Sequence, residues 1–168
     1  MVKKITHQRL YNITLYYLSR YDSCSAKVRD MLKRRILKDV QAGADMPSEV
    51  NQWIDAIIQR VQELGYLDDR CYVQNQVRIM SNAGKSARFM TMKFTQMGID
   101  ADLIDEALDA AEDDDLARAK QLVKRKKLGW LRPQSVRVDY YKKDLAALGR
   151  AGFSYETARQ ALLGDDNF

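Results

Sequence analysis

The sequence predicts an all-α protein. Apolar residues recur at helical spacing along nearly all of the 168 residues, and strand-like alternation is hard to find. Gly residues and short polar segments interrupt this pattern repeatedly, which divides it into helices of ordinary length. Eight Gly and two Pro are also too few for a β-protein full of tight turns. We therefore expect about nine helices and no sheet.

Four helices are predicted in the first half. The third is the clearest, because Pro47 suits a first helical turn and Gly65 suits a helix end. Asp68 or Asp69 then caps the fourth helix, which residues 82–84 end. In chain order the four helices carry Leu10, Ile13, Tyr17 and Leu18; Val28, Leu32 and Ile36; Val50, Trp53, Ile54, Ile57, Ile58, Val61 and Leu64; and Tyr72, Val73, Gln76, Val77 and Met80.

Five helices are predicted in the second half. Ser86, Asp100, Ser135 and Ser154 are residue types that cap helix N-termini, and each precedes an apolar stripe. The remaining helix follows an acidic run at 112–115, since acidic residues are favoured at helix N-termini. In chain order the stripes contain Met90, Phe94 and Met97; Leu103, Ile104, Ala107, Leu108 and Ala111; Leu116, Ala119, Leu122 and Val123; Val138, Tyr141, Leu145 and Leu148; and Ala158, Ala161 and Leu162.

The helix pattern contains an internal repeat. Residues 98–100, Gly-Ile-Asp, have the same organisation as residues 152–154, Gly-Phe-Ser: Gly ends a helix, an apolar residue follows, and a polar residue caps the next helix. The two Gly lie 54 residues apart, which fits a three-helix unit. We therefore expect three tandem three-helix repeats, at 1–65, 66–112 and 113–168, stacked into an elongated, gently curved rod.

The side chains needed for catalysis or metal binding are scarce. His7 is the one histidine in the sequence, which excludes most histidine-based acid–base chemistry and metal sites. Cys24 and Cys71 match no disulfide or zinc spacing, which favours a reducing cytoplasm. Gly-Lys-Ser at 84–86 resembles the end of a phosphate-binding loop, but Ile79 occupies a position where that loop requires Gly. We expect a protein that is not an enzyme and uses no cofactor or metal.

No stretch of the sequence predicts a membrane span. The longest apolar run, at 13–18, is far shorter than the roughly 20 residues that cross a bilayer. The first nine residues are polar and lack the apolar centre of a secretory signal.

Charge is distributed unevenly along the chain. The sequence has 28 Lys and Arg against 23 Asp and Glu, a net charge of +5. Residues 99–115 contain nine acidic residues and no Lys or Arg, whereas residues 116–150 contain eleven Lys and Arg against two acidic residues. Such a basic region attracts phosphate or an acidic protein surface, although charge runs in many proteins are only solvated helix faces.

Two basic regions stand out, and aromatic residues accompany both. The first contains Lys33, Arg34, Arg35 and Lys38; the second contains Lys124–Lys127, with Arg118, Lys120, Arg132, Arg137, Lys142 and Lys143 around it. The aromatic residues are Tyr16, Tyr17 and Tyr21 early, and Trp130, Tyr140 and Tyr141 late. Basic and aromatic side chains together can stack the bases of single-stranded nucleic acid. Helical spacing favours core packing for most of these aromatics, but Trp130 lies in a link and is expected to be exposed.

Specific segments of the chain resemble a known family. Residues 65–69, Gly-Tyr-Leu-Asp-Asp, followed by Tyr72, resemble the junction between the first two repeats of the RecX family, regulators of the RecA recombinase. Residues 144–155 are similar to the last-repeat segment of many members, where a helix ends in Gly-Phe. Residues 86–99 fit the middle repeat, and residues 17–32 fit the opening one. The resemblance covers nearly the whole chain.

The chain also departs from the family pattern. Family members often carry Arg directly before the aromatic residue of the junction, where this chain has Cys71, with Arg70 one position earlier. The middle-repeat helix at 87–97 is rich in Met and Thr where many relatives are more basic, and the link at 40–48 is longer. These differences leave the expected fold unchanged but weaken the transfer of single contact residues.

The resemblance implies a function exerted by binding. RecX-like proteins lie as rods in the groove of the RecA–single-stranded DNA filament, where they impede strand exchange and ATP turnover by RecA. The resemblance therefore implies a cytoplasmic, monomeric regulator in DNA repair, recombination and the SOS response. Its implied partners are RecA and the RecA–single-stranded DNA filament, and weak direct DNA binding is implied as well. The residues expected to contact protein and phosphate are Lys124, Arg125, Lys126, Lys127, Lys142 and Lys143 in the third repeat, and Arg78, Lys85, Arg88 and Lys93 in the second.

Two other functions stay open from the sequence alone. One is a basic helical protein that binds nucleic acid independently of RecA, because such a protein would have the same composition as this chain. A structural adaptor would bind a protein partner without any dependence on DNA. A preference for RecA–DNA filament over naked DNA distinguishes the first interpretation from both.

Overall fold

The structure, a computed structural model, is helical throughout the residues that it describes, 4–111 and 114–164. Nine α-helices and two single-turn 3-10 helices are present in these ranges. They are α1 (His7–Leu18), α2 (Ser25–Gln41), α3 (Val50–Glu63), α4 (Asp69–Asn82), α5 (Ala87–Gln96), α6 (Ala101–Asp109), α7 (Asp115–Lys126), the 3-10 turns Gly129–Leu131 and Gln134–Val136, α8 (Arg137–Arg150) and α9 (Tyr155–Leu163). The predicted all-α class is confirmed. None of these helices is both long and apolar enough to cross a membrane.

Packing divides the chain into two compact units, Met1–Tyr72 and Val73–Phe168. The finer division into three repeats, at 1–65, 66–112 and 113–168, stays a prediction.

The first unit packs α1, α2 and α3 around an aliphatic core. Its fully buried side chains include Leu10, Val28, Leu32, Ile54, Ile57 and Val61. The predicted stripes account for this core, because apolar residues three and four positions apart share one helix face. A buried carboxylate joins two of the helices: an oxygen of Asp39 on α2 lies 2.8 Å from Nη2 of Arg9 on α1 and 3.5 Å from Nε of Arg35.

The second unit has a core formed by α7, α8 and α9. Ala119, Leu122, Val123, Leu148, Ala158, Ala161 and Leu162 are buried there, and Leu128, Ala151 and Phe153 complete the cluster. Met90, Phe94 and Ile104 are buried on α5 and α6. The start of α5 also meets the end of α8, since the Ser86 N–H donates to the Ala151 carbonyl at 3.1 Å.

Most of the predicted helix starts are confirmed. The Ser86, Asp100 and Ser154 side chains accept from backbone N–H groups at the beginnings of α5, α6 and α9, at 3.1, 2.9 and 3.1 Å. Asp68 Oδ1 accepts from the Cys71 N–H at 3.0 Å at the start of α4. These bonds satisfy N–H groups that a helix leaves without partners.

The predicted start of α8 is wrong. Ser135 lies in a 3-10 turn, and α8 begins at Arg137 without a side-chain cap. Val138, which the predicted stripe places inside, is 86% exposed. Arg137 fixes this turn instead, because its guanidinium donates to the carbonyls of Trp130 and Arg132, at 2.7 and 2.9 Å. Because this contact forms only when α8 lies against the preceding turn, it has no capping motif by which the sequence could predict it.

One junction contact occurs twice. At the start of α2, the Ser25 N–H donates to Asp69 Oδ1 at 2.7 Å, and Asp69 is the first residue of α4. At the start of α5, the Ala87 N–H donates to Asp115 Oδ1 at 2.8 Å, and Asp115 is the first residue of α7. In both cases an Asp from the helix two elements later caps the helix start. The recurrence supports the proposed repeat of three helices.

Candidate functional site

The strongest candidate site is the basic surface of the second unit. We give this name to its exposed basic residues at the end of α7 and on α8, which are Lys124–Lys127, Lys142 and Lys143. Lys124, Arg125 and Lys126 occupy the last turn of α7, and Lys127 follows in a left-handed conformation with a φ of 53°. All four residues are exposed. Basic side chains are favourable at this end of a helix, because the helix dipole places partial negative charge there.

The opposite end of α7 explains part of the acidic block. Asp114 Oδ1 accepts from the Ala117 N–H at 2.7 Å as the N-cap, and Asp115 occupies the first turn. Acidic residues at the start and basic residues at the end therefore both match the helix dipole. Some of the charge separation between 99–115 and 116–150 thus has a structural role. Glu112 and Asp113 of the acidic run lie outside the described residues.

The four basic residues at the end of α7 differ in availability. Arg125 Nη2 donates to the Ala83 carbonyl at 2.8 Å, so this guanidinium holds the end of α4. Lys124 and Lys126 make no ion pair with any residue that the structure describes. Their ammonium groups are therefore free to bind an anionic partner.

The predicted lysines of α8 are also exposed. Lys142 and Lys143 both face solvent. The Lys143 Nζ lies 5.0 Å from the centroid of the Tyr140 ring, and the Arg132 guanidinium carbon lies 4.4 Å from the same centroid. Attraction between a cation and the ring fixes the position of these charges beside a half-exposed aromatic residue.

The four predicted residues from Arg78 to Lys93 are less uniform, with Arg78 on α4, Lys85 in the link after it, and Arg88 and Lys93 on α5. Arg78, Arg88 and Lys93 are exposed, whereas Lys85 is half-buried. The Lys85 Nζ lies 4.2 Å from the centroid of the Phe89 ring. Arg78 lines a cavity of about 370 Å³ between α4 and α6. The structure thus places all ten predicted residues in the second unit, and Lys85 is the least accessible of them.

Three arginines near this surface have structural roles that the sequence does not reveal. Arg118 is only 3% exposed, and its Nη1 lies 3.1 Å from Asp115 Oδ1. Arg132 forms a two-pronged ion pair with the buried Asp144, with Nε and Nη2 donating at 2.7 and 2.8 Å. Arg137 holds backbone carbonyls, as described above. Arg118 and Arg132 are therefore held in ion pairs, whereas Arg137 is an exposed cation of the predicted basic region.

The earlier basic region, in α2, is largely neutralised. Arg34 pairs with Asp30 at 2.8 Å, and Arg35 approaches the buried Asp39 at 3.5 Å. Lys33 and Lys38 are exposed and make no ion pair in the described part of the chain. This region retains two available charges, which makes it a weaker candidate than the second unit and a suitable internal control.

Burial raises the pKa of the Cys24 thiol, which keeps this thiol protonated. Across residues 4–111 and 114–164, no group of three or more His, Cys, Asp or Glu side chains could hold a metal ion.

Comparison with known proteins identifies the family, although no family model matches the chain. A regulatory protein RecX of Myxococcus xanthus (strain DK1622) is 28% identical over 166 residues, which cover 95% of this chain and 87% of that protein. Another regulatory protein RecX, from Pseudomonas entomophila (strain L48), is 31% identical over 116 residues, covering 69% of this chain and 73% of that protein.

Solved structures agree in fold. The crystal structure of RecX from Lactobacillus salivarius superposes with a TM-score of 0.63 at 22% identity, covering 93% of this chain and 94% of that one. A second crystal structure of a regulatory protein RecX gives a TM-score of 0.62 at 22% identity, covering 92% of this chain and 70% of that one. At this identity the superpositions establish the fold, and the sequence matches carry the family. The chain belongs to the RecX family of regulatory proteins.

Proposed function

We propose that this protein binds RecA and the RecA–single-stranded DNA filament, and that it inhibits strand exchange and ATP turnover by RecA. Similarity to a regulatory RecX protein over 95% of the chain is the observation that carries the proposal. The protein acts by binding, as a cytoplasmic monomer, and its own side chains catalyse no reaction.

The free cations of the second unit support this proposal. Lys124, Lys126 and Lys142 are exposed and make no ion pair with described residues. A filament of protein on single-stranded DNA offers both phosphate and acidic protein side chains to such charges. We propose that this surface, together with Arg78, Arg88 and Lys93, faces the filament.

The direct experiment measures ATP hydrolysis and strand exchange by RecA on single-stranded DNA, with the protein added from substoichiometric to equimolar amounts. Inhibition at substoichiometric ratios is expected, because a bound regulator acts on a filament of many RecA protomers. Absence of any effect at every ratio would contradict the proposal.

A matched pair of variants locates the surface. Lys124→Glu/Lys126→Glu is expected to raise the concentration for half-maximal inhibition at least roughly tenfold, because two attractive contacts become repulsive. Lys33→Glu/Lys38→Glu changes the net charge by the same amount on α2 and is expected to inhibit like the wild type. Circular dichroism checks that both variants keep their helices. Equal losses in the two variants would show that only net charge matters, and the proposed surface would be wrong.

A second candidate function is nucleic-acid binding that does not depend on RecA. The half-exposed Trp130, which lies in a sequence segment rich in Lys and Arg, is the observation that favours it. Equally tight, salt-sensitive binding to naked single strands and to filament would support this alternative.

A further inference from the structure

Trp130 is partly exposed on the surface of the second unit. A Cβ atom placed on Gly164 would lie 3.0 Å from both Cδ1 and Cγ of Trp130 and 3.3 Å from Cδ2. These three atoms are consecutive in the five-membered ring, so their similar distances place the Gly164 backbone against one face of the indole. Trp130 is nevertheless 39% exposed. The Gly164 backbone therefore covers only part of the Trp130 side chain.

The backbone that carries this ring is held from several directions. The Trp130 carbonyl accepts from Arg137 Nη2 at 2.7 Å. The preceding Gly129 N–H donates to Asp144 Oδ2 at 2.9 Å, and Asp144 in turn pairs with Arg132. A flat apolar ring that is fixed before binding loses little conformational freedom when a ligand stacks on it.

Cations and a second aromatic ring lie on the same segment. Tyr140 is 38% exposed, and both Arg132 and Lys143 lie over its ring. Residues 124–144 contain eight Lys and Arg against two acidic residues, Asp139 and Asp144, of which Asp144 pairs with Arg132. Exposed aromatic rings stack bases, and the surrounding charges neutralise the phosphates that follow. A wholly apolar partner would gain nothing from this density of charge.

We propose that Trp130 is a base-stacking site for single-stranded DNA, with Lys142 and Lys143 contacting the adjacent phosphates. The proposal deepens the proposed function, because the RecA filament is the source of the single strand. The contact itself is made by this chain directly, and it can be measured without RecA.

Tryptophan fluorescence tests the stacking directly, since the sequence has two Trp residues. Trp53→Phe leaves Trp130 as the sole tryptophan, and Trp130→Phe leaves Trp53, which packs edge-on against His7 in the first unit. Each variant is titrated at low salt with dye-labelled oligo-dT of about 16 nucleotides, the upper end of common site sizes. Anisotropy of the dye reports binding, and tryptophan emission reports stacking.

Quenching is expected in Trp53→Phe but not in Trp130→Phe. Absence of oligo-dT binding at low salt would overturn the proposal, as would binding that leaves Trp130 emission unchanged. Oligo-rU of equal length is the third arm: binding to oligo-dT is expected to be at least as tight, and exclusive binding to oligo-rU would overturn the assignment to DNA.

The salt dependence of oligo-dT binding separates the contribution of base stacking from that of charge. Trp130→Ala is expected to weaken oligo-dT binding roughly tenfold at every salt concentration, because it removes a stacked base without removing a cation. Lys143→Gln is expected to lower the slope of log affinity against log salt by about 0.7, the effect of one phosphate contact. Tyr66→Ala, at a residue that is 60% exposed in the first unit, is the aromatic control and is expected to bind like the wild type. A wild-type affinity for Trp130→Ala would contradict the proposal.

Failure here and failure of the proposed function are distinguishable. If Trp130→Ala impairs inhibition of RecA but binds oligo-dT normally, the ring contacts protein and the stacking proposal falls, while RecA regulation stands. If Trp130 stacks on oligo-dT but the protein affects RecA at no ratio, stacking stands and the proposed function falls.

Discussion

Asp144 is the buried carboxylate that holds the turn before α8. It is 3% exposed and accepts from Gly129 N–H and from two nitrogens of Arg132. Burial alone would raise the pKa of Asp144, but the hydrogen bonds from Arg132 and Gly129 and the charge of Arg132 lower it below its ordinary value. The ionised form is therefore the form that the fold favours.

The lowered pKa of Asp144 predicts a pH dependence of stability. Its contribution is fully present above the ordinary carboxylate pKa of about 3.9, and it is lost as the pH falls through the lower pKa of the folded state. Asp144→Asn is expected to cost about 2 kcal/mol at pH 7, because charged hydrogen bonds to Arg132 are lost. Urea unfolding at pH 7 and at pH 3 measures the difference between wild type and variant. The difference should shrink at pH 3, and a difference that is the same at both pH values would contradict this account.

Gly152 predicts a steric effect on stability. It has a φ of 96°, and a Cβ there would lie 2.3 Å from Ser86 Oγ and 2.9 Å from Phe89 Cβ. Gly98, with a φ of 76°, has nothing within 4 Å of such a Cβ and is the matched control. Gly98→Ala is expected to cost about 1 kcal/mol from backbone strain, and Gly152→Ala about 1–3 kcal/mol more from overpacking. Chemical denaturation measures both, and equal losses would show that α5 and α8 do not meet as described.

The arginines show why single residues of the site resist prediction from sequence. Arg118, Arg132 and Arg137 have the same sequence character as the neighbouring lysines. Their long side chains reach partners at separations of three to twelve residues, and the fold alone decides which carboxylate or carbonyl lies within reach. Lys124 and Lys126, by contrast, have no such partner among the described residues and are exposed, while their contact with a partner stays a prediction.

At the scale of elements, local rules predict most of the helices. Ser86, Asp100 and Ser154 cap the helices that they precede, because capping depends on a residue and its next three neighbours. The α8 start differs, because a distant contact of the Arg137 side chain sets it. A helix start that is capped by a residue next to it can be predicted from the sequence, whereas a helix start that is set by a tertiary contact cannot.

Both junction aspartates are predicted to contribute to stability. Asp69→Ala is expected to cost about 1–2 kcal/mol, because it removes the carboxylate that caps a helix two elements earlier. Asp115→Ala is expected to cost at least as much, because it removes the equivalent cap and also leaves the buried Arg118 without its ion pair. Asp105→Ala, at an exposed position on α6, is the control and should change stability by less than about 0.5 kcal/mol. Thermal unfolding of the three variants provides the measurement. A loss at only one of the two junctions would argue against a common repeat.

At the scale of the whole molecule, the sequence predicts the class of fold and the family, and the comparisons confirm both. The ten predicted contact residues all belong to the second unit, but their contact with a partner stays a prediction. The net charge of +5 conceals the separation of an acidic segment from a basic one. The structure explains part of that separation through the ends of α7 and leaves the free lysines of the second unit for a partner.

The proposed function requires that the basic surface of the second unit recognises the RecA–single-stranded DNA filament rather than DNA alone. Co-sedimentation of the protein with filament and with naked single-stranded DNA, across a salt series, distinguishes these two cases. Filament binding is predicted to persist at salt concentrations that abolish binding to naked DNA, because protein contacts add to contacts with phosphate. Equal affinity and equal salt dependence for filament and naked DNA would contradict the proposed function.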